Sequence, residues 1–257
     1  MTDEEVLAGG SVNHVVRVGD TVRRPTGPWT PAVHSFLRHL ELVGYPYAPR
    51  VLGVDEQDRE VLTFIPGQAL RRPWPTALQA DEVLDQIGRA LGLLAQASAG
   101  FVPPVEAVWQ APDARRAGPV RHGDVGPWNA IFRDGELVGF IDWDFAGPAP
   151  ALWDLAQAAW YYVPLRPPDR GWRGCGFPAE PDLRARLGRL CSAYGTEVSG
   201  VVDELVQLQH DELATVQTLG GQGRAPWAQF LQRGDVETIS REIRWLRERR
   251  RDVEPAA

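Results

Sequence analysis

The hydrophobic pattern of this chain is mostly strand-like before Pro66-Gly67 and mainly helical after it, and that change limits the fold more than any other feature. Upstream the period is that of strands. Residues 12–18 (VNHVVRV) are β-branched and follow Gly9-Gly10, Gly19-Asp20 is a turn signal, and residues 21–24 resume an extended pattern, which predicts a hairpin with a glycine-rich mouth. Pro28 and Pro31 bracket a helix start at Thr30, and Val33, Phe36, Leu37 and Leu40 keep helical spacing until Gly44. Residues 51–54 and 61–65, separated by the charged run DEQDRE, read as further strands. Residues 1–66 are expected to form a small lobe of five short antiparallel strands, four of them those just named, and one helix.

Downstream the pattern is helical. Residues 81–97 carry Leu84, Ile87, Leu91 and Leu94 at steps of three or four, with Asp81 placed to cap the start. Residues 151–162, 182–194, 201–219 and 236–251 read as four more helices, the last strongly basic and docked through Ile239, Ile243 and Leu246. One β-hairpin interrupts them at residues 130–141, turning on Asp134-Gly135, while residues 164–181 form the longest irregular segment. The expected class is α+β with two lobes, residues 67–257 making the larger and mainly helical one.

Composition narrows the function. A chain of 257 residues, 44% hydrophobic and 24% charged, is an ordinary globular protein. Its net charge of −7 argues against a nucleic-acid partner, and its 27 basic residues are all arginines. Cys175 and Cys191 have no disulfide or zinc spacing and read as free thiols in a reducing compartment. The start, MTDEEVLAGG, lacks the apolar run of a signal peptide, and the longest uncharged stretch, residues 90–105, is too short and too polar to span a membrane. A cytoplasmic protein without membrane contact is expected.

The chemistry is concentrated in two motifs. In RHGDVGPWN, His122 precedes Asp124 by two positions and Asn129 follows it by five, the spacing of a phosphoryl-transfer loop. Such a reaction needs a carboxylate to orient the attacking hydroxyl and take its proton, and an amide oxygen nearby to hold a metal on the phosphates. Thirteen residues beyond Asn129, across the hairpin, an apolar strand delivers Asp142 in the run IDWD. A magnesium-binding carboxylate belongs at such a strand end.

With HGDVGPWN and FIDWD at this interval, and with GGSVNHVVRV, TFIPG and LWDLA, the chain resembles the aminoglycoside phosphotransferase and choline kinase-like superfamily, small-molecule relatives of the protein kinases. The resemblance runs from Gly9 to about Tyr194 and fades in the C-terminal helices. It implies a protein-kinase-like fold with Asp124 as catalytic base, Asn129 and Asp142 as metal ligands and His122 as a brace for the loop. Asp154 would be structural, and Asp144 either part of the metal site or a carboxylate that backs it or lies at the surface. Gly9, Gly10 and Ser11 would cover the phosphates, and Thr63, Phe64 and Ile65 would receive the base of ATP or GTP through backbone groups. The implied cofactors are one of these nucleotides and Mg²⁺; the implied partner is a small-molecule hydroxyl acceptor, the protein being a monomer or a weak homodimer.

Two departures stand against that pattern. The lysine expected to clasp the α- and β-phosphates is absent, and Arg24 is its nearest replacement, with Arg23 as the alternative if the strand register slips. The helix glutamate expected to pair with it is absent too. Its place holds Val33 or His34, and His34 reads either as facing Arg24 only indirectly or as a helix-face residue with no role. Trp128, inside the loop, either stacks on a substrate ring or fills space; Trp160, Tyr161, Tyr162 and Trp172 read first as core and second as an acceptor wall.

The function expected from all this is a Mg²⁺-requiring, ATP- or GTP-dependent O-phosphotransferase. An aminoglycoside-type antibiotic is one acceptor class, gathered by Glu180, Asp182, Asp203, Glu204, Asp211 and Glu212. The alternatives are a nucleotide-binding pseudokinase serving as a regulatory or immunity module, and a peptide Ser/Thr kinase.

Overall fold

The computed structural model describes residues 4–7, 15–110 and 117–254. Gly9, Gly10 and Ser11 lie outside the described residues, as does the first part of the predicted strand at 12–18. The N-terminal lobe is a five-stranded antiparallel sheet in the order β1 (Glu5–Val6), β2 (Val16–Val18), β3 (Thr21–Pro25), β5 (Arg59–Thr63), β4 (Val51–Val54). Helix α1 (Thr30–Leu42) has Pro31 in its first turn and buries Val33, Phe36, Leu37 and Leu40, the residues whose spacing announces it. The expected strand at 61–65 is displaced: β5 begins at Arg59 and ends at Thr63. Asp55 accepts from the Arg59 side chain and amide and so extends the strand backward, while the Phe64 amide turns away to the Asp20 carbonyl. That shift puts Glu60 inside the sheet, directly opposite Arg24 in the β3–β5 register.

The C-terminal lobe contains helices α2 (Glu82–Ser98), α3 (Trp153–Tyr162), α4 (Trp172–Cys175), α5 (Leu183–Tyr194), α6 (Val201–Gly221), α7 (Trp227–Gln232) and α8 (Asp235–Val253). Helix α2 packs along α5, and α6 lies against α3, α7 and α8. Their shared interior includes Ile87, Trp153, Leu187, Leu205 and Leu246, all fully buried. Asp182 caps α5 by accepting from the Ala185 amide at 2.9 Å. Asp81 does not cap α2; its carboxylate is taken by Arg186 of α5, which ties the two helices together. Helices α4 and α7 are too short to show a period in the sequence.

Two small sheets aim the loops of this lobe. Strands β8 (Ala130–Arg133) and β9 (Glu136–Phe140) form the predicted hairpin, joined at its edge by β6 (Gln68–Ala69). Asp134 and Gly135 both take positive φ, 53° and 84°, which is what a two-residue turn between twisted strands requires. Strand β7 (Val120–Arg121) pairs with β10 (Gly147–Pro148), so the chain entering the 122–129 loop is fixed beside the chain leaving the 141–146 segment. Both cysteines are buried and free. Among the described residues no helix is long and apolar enough to cross a membrane.

Candidate active site

The 122–129 loop is held from below by the first turns of α3. The amides of His122 and Gly123 donate to the two oxygens of Asp154 at 2.9 and 3.0 Å, and the Val125 amide donates to the Gln157 side-chain oxygen at 2.6 Å. These are buried donors that would otherwise be orphaned, so two helix side chains fix the loop backbone at three points. His122 braces the loop from inside. Its Nδ1 accepts from the Asp124 amide at 3.2 Å and its Nε2 lies 3.1 Å from the Ile141 carbonyl, an arrangement satisfied by the neutral ring with its proton on Nε2. Burial holds the imidazole at a pKa of about 4, against the pull of Asp154 and Asp142, so it stays neutral. Gly126 leaves room for the loop's tryptophan: a Cβ there would fall 2.3 Å from the Trp128 ring.

Asp124 projects from this frame. Asn129 donates from its side-chain nitrogen to Asp124 Oδ2 at 2.8 Å and to the Asp124 carbonyl at 2.9 Å, and the Trp128 indole donates to Oδ2 at 3.1 Å. An amide whose nitrogen is committed to Asp124 presents its oxygen to other partners. Burial pushes the Asp124 carboxyl up to about 7; the Trp128 and Asn129 bonds work against it, and the charges of Asp142 and Glu212 add to it. A base with an affinity for protons near neutrality suits acceptance of a hydroxyl proton.

Across from the loop, β9 ends and the chain turns at Asp142, which adopts the left-handed conformation (φ 61°, ψ 69°). Such a backbone costs an aspartate of order 1 kcal/mol and concentrates at functional positions. Asp142 stays half-exposed, whereas Asp144 is buried, which removes its reading as a surface carboxylate. Both meet Arg24 of β3: Nη1 lies 2.6 Å from Asp142 and Nη2 2.7 Å from Asp144. The third edge of the same guanidinium, Nε, is 2.5 Å from Glu60, whose other oxygen is 2.7 Å from His34 Nε2 on α1. Arg24 is thus a buried cation bridging the lobes, its proton held by Asp144, Asp142 and Glu60 against the desolvation that would release it. Arg23 points elsewhere, to Asp55.

A model of the phosphotransferase enzyme family (APH) matches residues 3–107 and 104–171 of this sequence, which include the loop, the IDWD run and Arg24. The chain belongs to that family. A trifolitoxin immunity protein of Rhizobium leguminosarum bv. trifolii is 39% identical over 217 residues, 80% of each chain. Among solved structures, a choline/ethanolamine kinase family protein from Mesorhizobium loti superposes with a TM-score of 0.59 at 18% identity, over 96% of this chain and 92% of that one. A microcompartment-associated aminopropanol kinase gives 0.57 at 13% identity, with 96% and 92% covered. The GDP complex of an aminoglycoside 2′-phosphotransferase gives 0.55 at 15% identity, also with 96% and 92% covered. The fold is thus the two-lobed kinase-like one, and the chain is a kinase-type phosphotransferase by family.

Among the described residues no three His, Cys, Asp or Glu side chains converge as a metal cage. For this phosphotransferase that is no obstacle to Mg²⁺, which keeps water and takes one or two carboxylates together with substrate phosphates. Asp142, Asp144 and the Asn129 amide oxygen are hard oxygen donors of the right kind, and they fit it. Of the three residues expected to receive the nucleotide base, the Thr63 and Phe64 amides donate to the Arg50 and Asp20 carbonyls.

On the far side of Asp124 the aromatic residues divide. Trp160, Tyr162 and Trp172 are buried, while Trp128 is 46% exposed and meets Tyr161 edge-on at 4.7 Å. The Arg166 guanidinium lies over the Tyr161 ring at 4.8 Å, held there by fully buried Glu242 at 2.8 Å. Sequence reasoning missed Glu60, Gln157 and Glu242. Glu60 is readable in principle, as a buried acid inside a strand opposite an arginine, but only with the register in hand; Gln157 and Glu242 carry no pattern of their own.

Proposed function

We propose that this phosphotransferase moves the γ-phosphate of ATP or GTP, with Mg²⁺, onto a hydroxyl of a small antibiotic or toxin, and that it confers immunity by doing so. The observation that carries the reading is the joining of Asp124 to Asn129 at 2.8 Å, in a loop whose Asn129 carbonyl accepts from the Ile141 amide at 2.9 Å, one residue before Asp142. Asp124 would orient the acceptor hydroxyl and take its proton, as its raised proton affinity suits it to do. Asn129 and Asp142 would hold the metal, with Asp144 beside them; when bound, the metal would neutralise charge building on the transferred phosphoryl group. Arg24 would steady the phosphates with the fork of its guanidinium, a bidentate geometry that a lysine lacks. His122, Asp154 and Gln157 would keep the loop rigid, and closely oriented reactants account for much of the rate in phosphoryl transfer.

The acceptor would lie against Trp128 and Tyr161. Of the acidic residues considered for gathering a polycation, Glu180 and Asp203 are paired with Arg249 and Arg250, Asp182 caps α5, and Asp211 accepts from Gln207. An acceptor chosen by aromatic stacking as much as by positive charge is the better fit to that wall.

The relative named for trifolitoxin immunity favours a second reading, immunity through binding alone. The two part at Asp124→Ala. In a sensitive host challenged with a panel of peptide and aminoglycoside antibiotics, protection and a phosphorylated product should disappear together in the variant. Protection that survives the substitution would establish the binding reading instead.

A further inference from the structure

Arg24 stands where the family resemblance implies a lysine, and no glutamate of α1 reaches it. Yet the guanidinium is not loose. It is 6% exposed, Glu60 is 1% exposed, and the two are cross-strand neighbours at 2.5 Å. Glu60 spends one oxygen on Arg24 Nε and the other on His34 Nε2 at 2.7 Å, and His34 is itself buried at the α1 position where a direct partner is missing. We infer that Glu60 and His34 together replace the missing helix glutamate, Glu60 as the residue that positions Arg24 for nucleotide phosphate and His34 as the tie that makes this depend on α1.

The geometry explains why both are needed. A guanidinium has an Nε edge and two Nη ends, and only one edge can be anchored if the ends are to serve the cleft. Glu60 takes the Nε edge, so both Nη ends face Asp142 and Asp144, the side on which phosphate and metal would be held. A carboxylate on β5 is close enough to do this but has a second oxygen buried in the sheet, and that oxygen would be unsatisfied without His34. Burial alone would favour the protonated acid; the His34 bond and the Arg24 charge keep Glu60 ionised instead. The link from helix to phosphate arm is therefore kept in a relayed form, through a strand residue rather than directly.

This inference rests on reading the cleft as a nucleotide site, and the experiment separates the two. The dissociation constants of Mg·ATP and Mg·GTP are measured by calorimetry on the full chain, without acceptor, for wild type, Glu60→Gln, His34→Ala, Arg24→Gln and the Arg24→Gln/Glu60→Gln double variant. Loss of a charge-assisted hydrogen bond predicts that Glu60→Gln weakens the preferred nucleotide about tenfold or more, and His34→Ala about threefold. In the Arg24→Gln background, Glu60→Gln should then have almost no further effect, because its whole influence passes through Arg24. Asp182→Ala, a cap on a distant helix, lowers stability without touching this pair and should bind as wild type does. The inference is overturned if folded Glu60→Gln binds as wild type, or if it weakens binding by the same factor with and without Arg24. Should Glu60→Gln fail to fold, His34→Ala decides, and wild-type affinity there overturns the relay. A wild type that binds neither nucleotide with Mg²⁺ overturns the phosphotransferase reading, and this one with it.

Discussion

Asp124 owes its chemistry to its neighbours more than to its own kind. A solvated aspartate is a weak base at neutral pH; this one is desolvated, faces the charges of Asp142 and Glu212, and holds its geometry through Asn129 and Trp128. Asp124→Asn should therefore lower kcat by about a hundred- to ten-thousandfold, the usual worth of a positioned base, while leaving Mg·nucleotide affinity nearly unchanged. Calorimetry beside steady-state kinetics checks both halves. Glu242 poses the opposite case, since it touches no reacting atom. It is fully buried, accepts from Trp160 at 2.9 Å and pairs with Arg166, the residue that backs Tyr161. Glu242→Ala strands a buried guanidinium and should cost about 3–5 kcal/mol in urea unfolding, whereas replacing Glu242 and Arg166 together by Leu and Met should cost much less.

Elements with a local signal are legible in the amino-acid sequence, and those without one are not. The Asp134-Gly135 hairpin, helix α1 behind its proline and the apolar stripe of α2 all declare themselves within a dozen residues, because their period and turn chemistry are local. The RHGDVGPWN and IDWD motifs are legible for the same reason. What sequence reasoning misses is whatever depends on partners far along the chain: Asp81 sits where a cap would be and is an anchor for Arg186, and Glu60 sits at the end of a charged run and is a buried strand residue opposite Arg24. His34 acquires a role only with Glu60 placed between it and Arg24. Two substitutions test these assignments by thermal unfolding. Asp182→Ala should destabilise by about 1 kcal/mol through loss of a helix cap. Gly135→Val should destabilise by at least about 1 kcal/mol, because a β-branched residue resists a φ of 84°.

At the scale of the molecule, the two lobes meet through Arg24, which takes carboxylates from the strand behind it and from the 142–144 segment in front. A ligand that binds there ties both lobes together, so its effect should be visible in global stability. At a hundred times its dissociation constant, Mg·nucleotide should stabilise the chain by about 2.7 kcal/mol, and chelation of the metal should remove most of that gain. In a chain without lysine the arginines fit this architecture, many being committed to carboxylates within and between helices, as Arg186, Arg189 and Arg250 are. The measurement that bears most directly on the central claim is phosphate transfer itself. Wild type and Asp124→Ala are incubated with Mg·ATP or Mg·GTP and a panel of aminoglycoside, amino-alcohol and peptide antibiotics, and products are identified by mass spectrometry. The account predicts a phosphorylated acceptor with wild type alone; a product of equal yield with Asp124→Ala, or absence of any Mg²⁺-dependent transfer from either nucleotide across the panel, would contradict it.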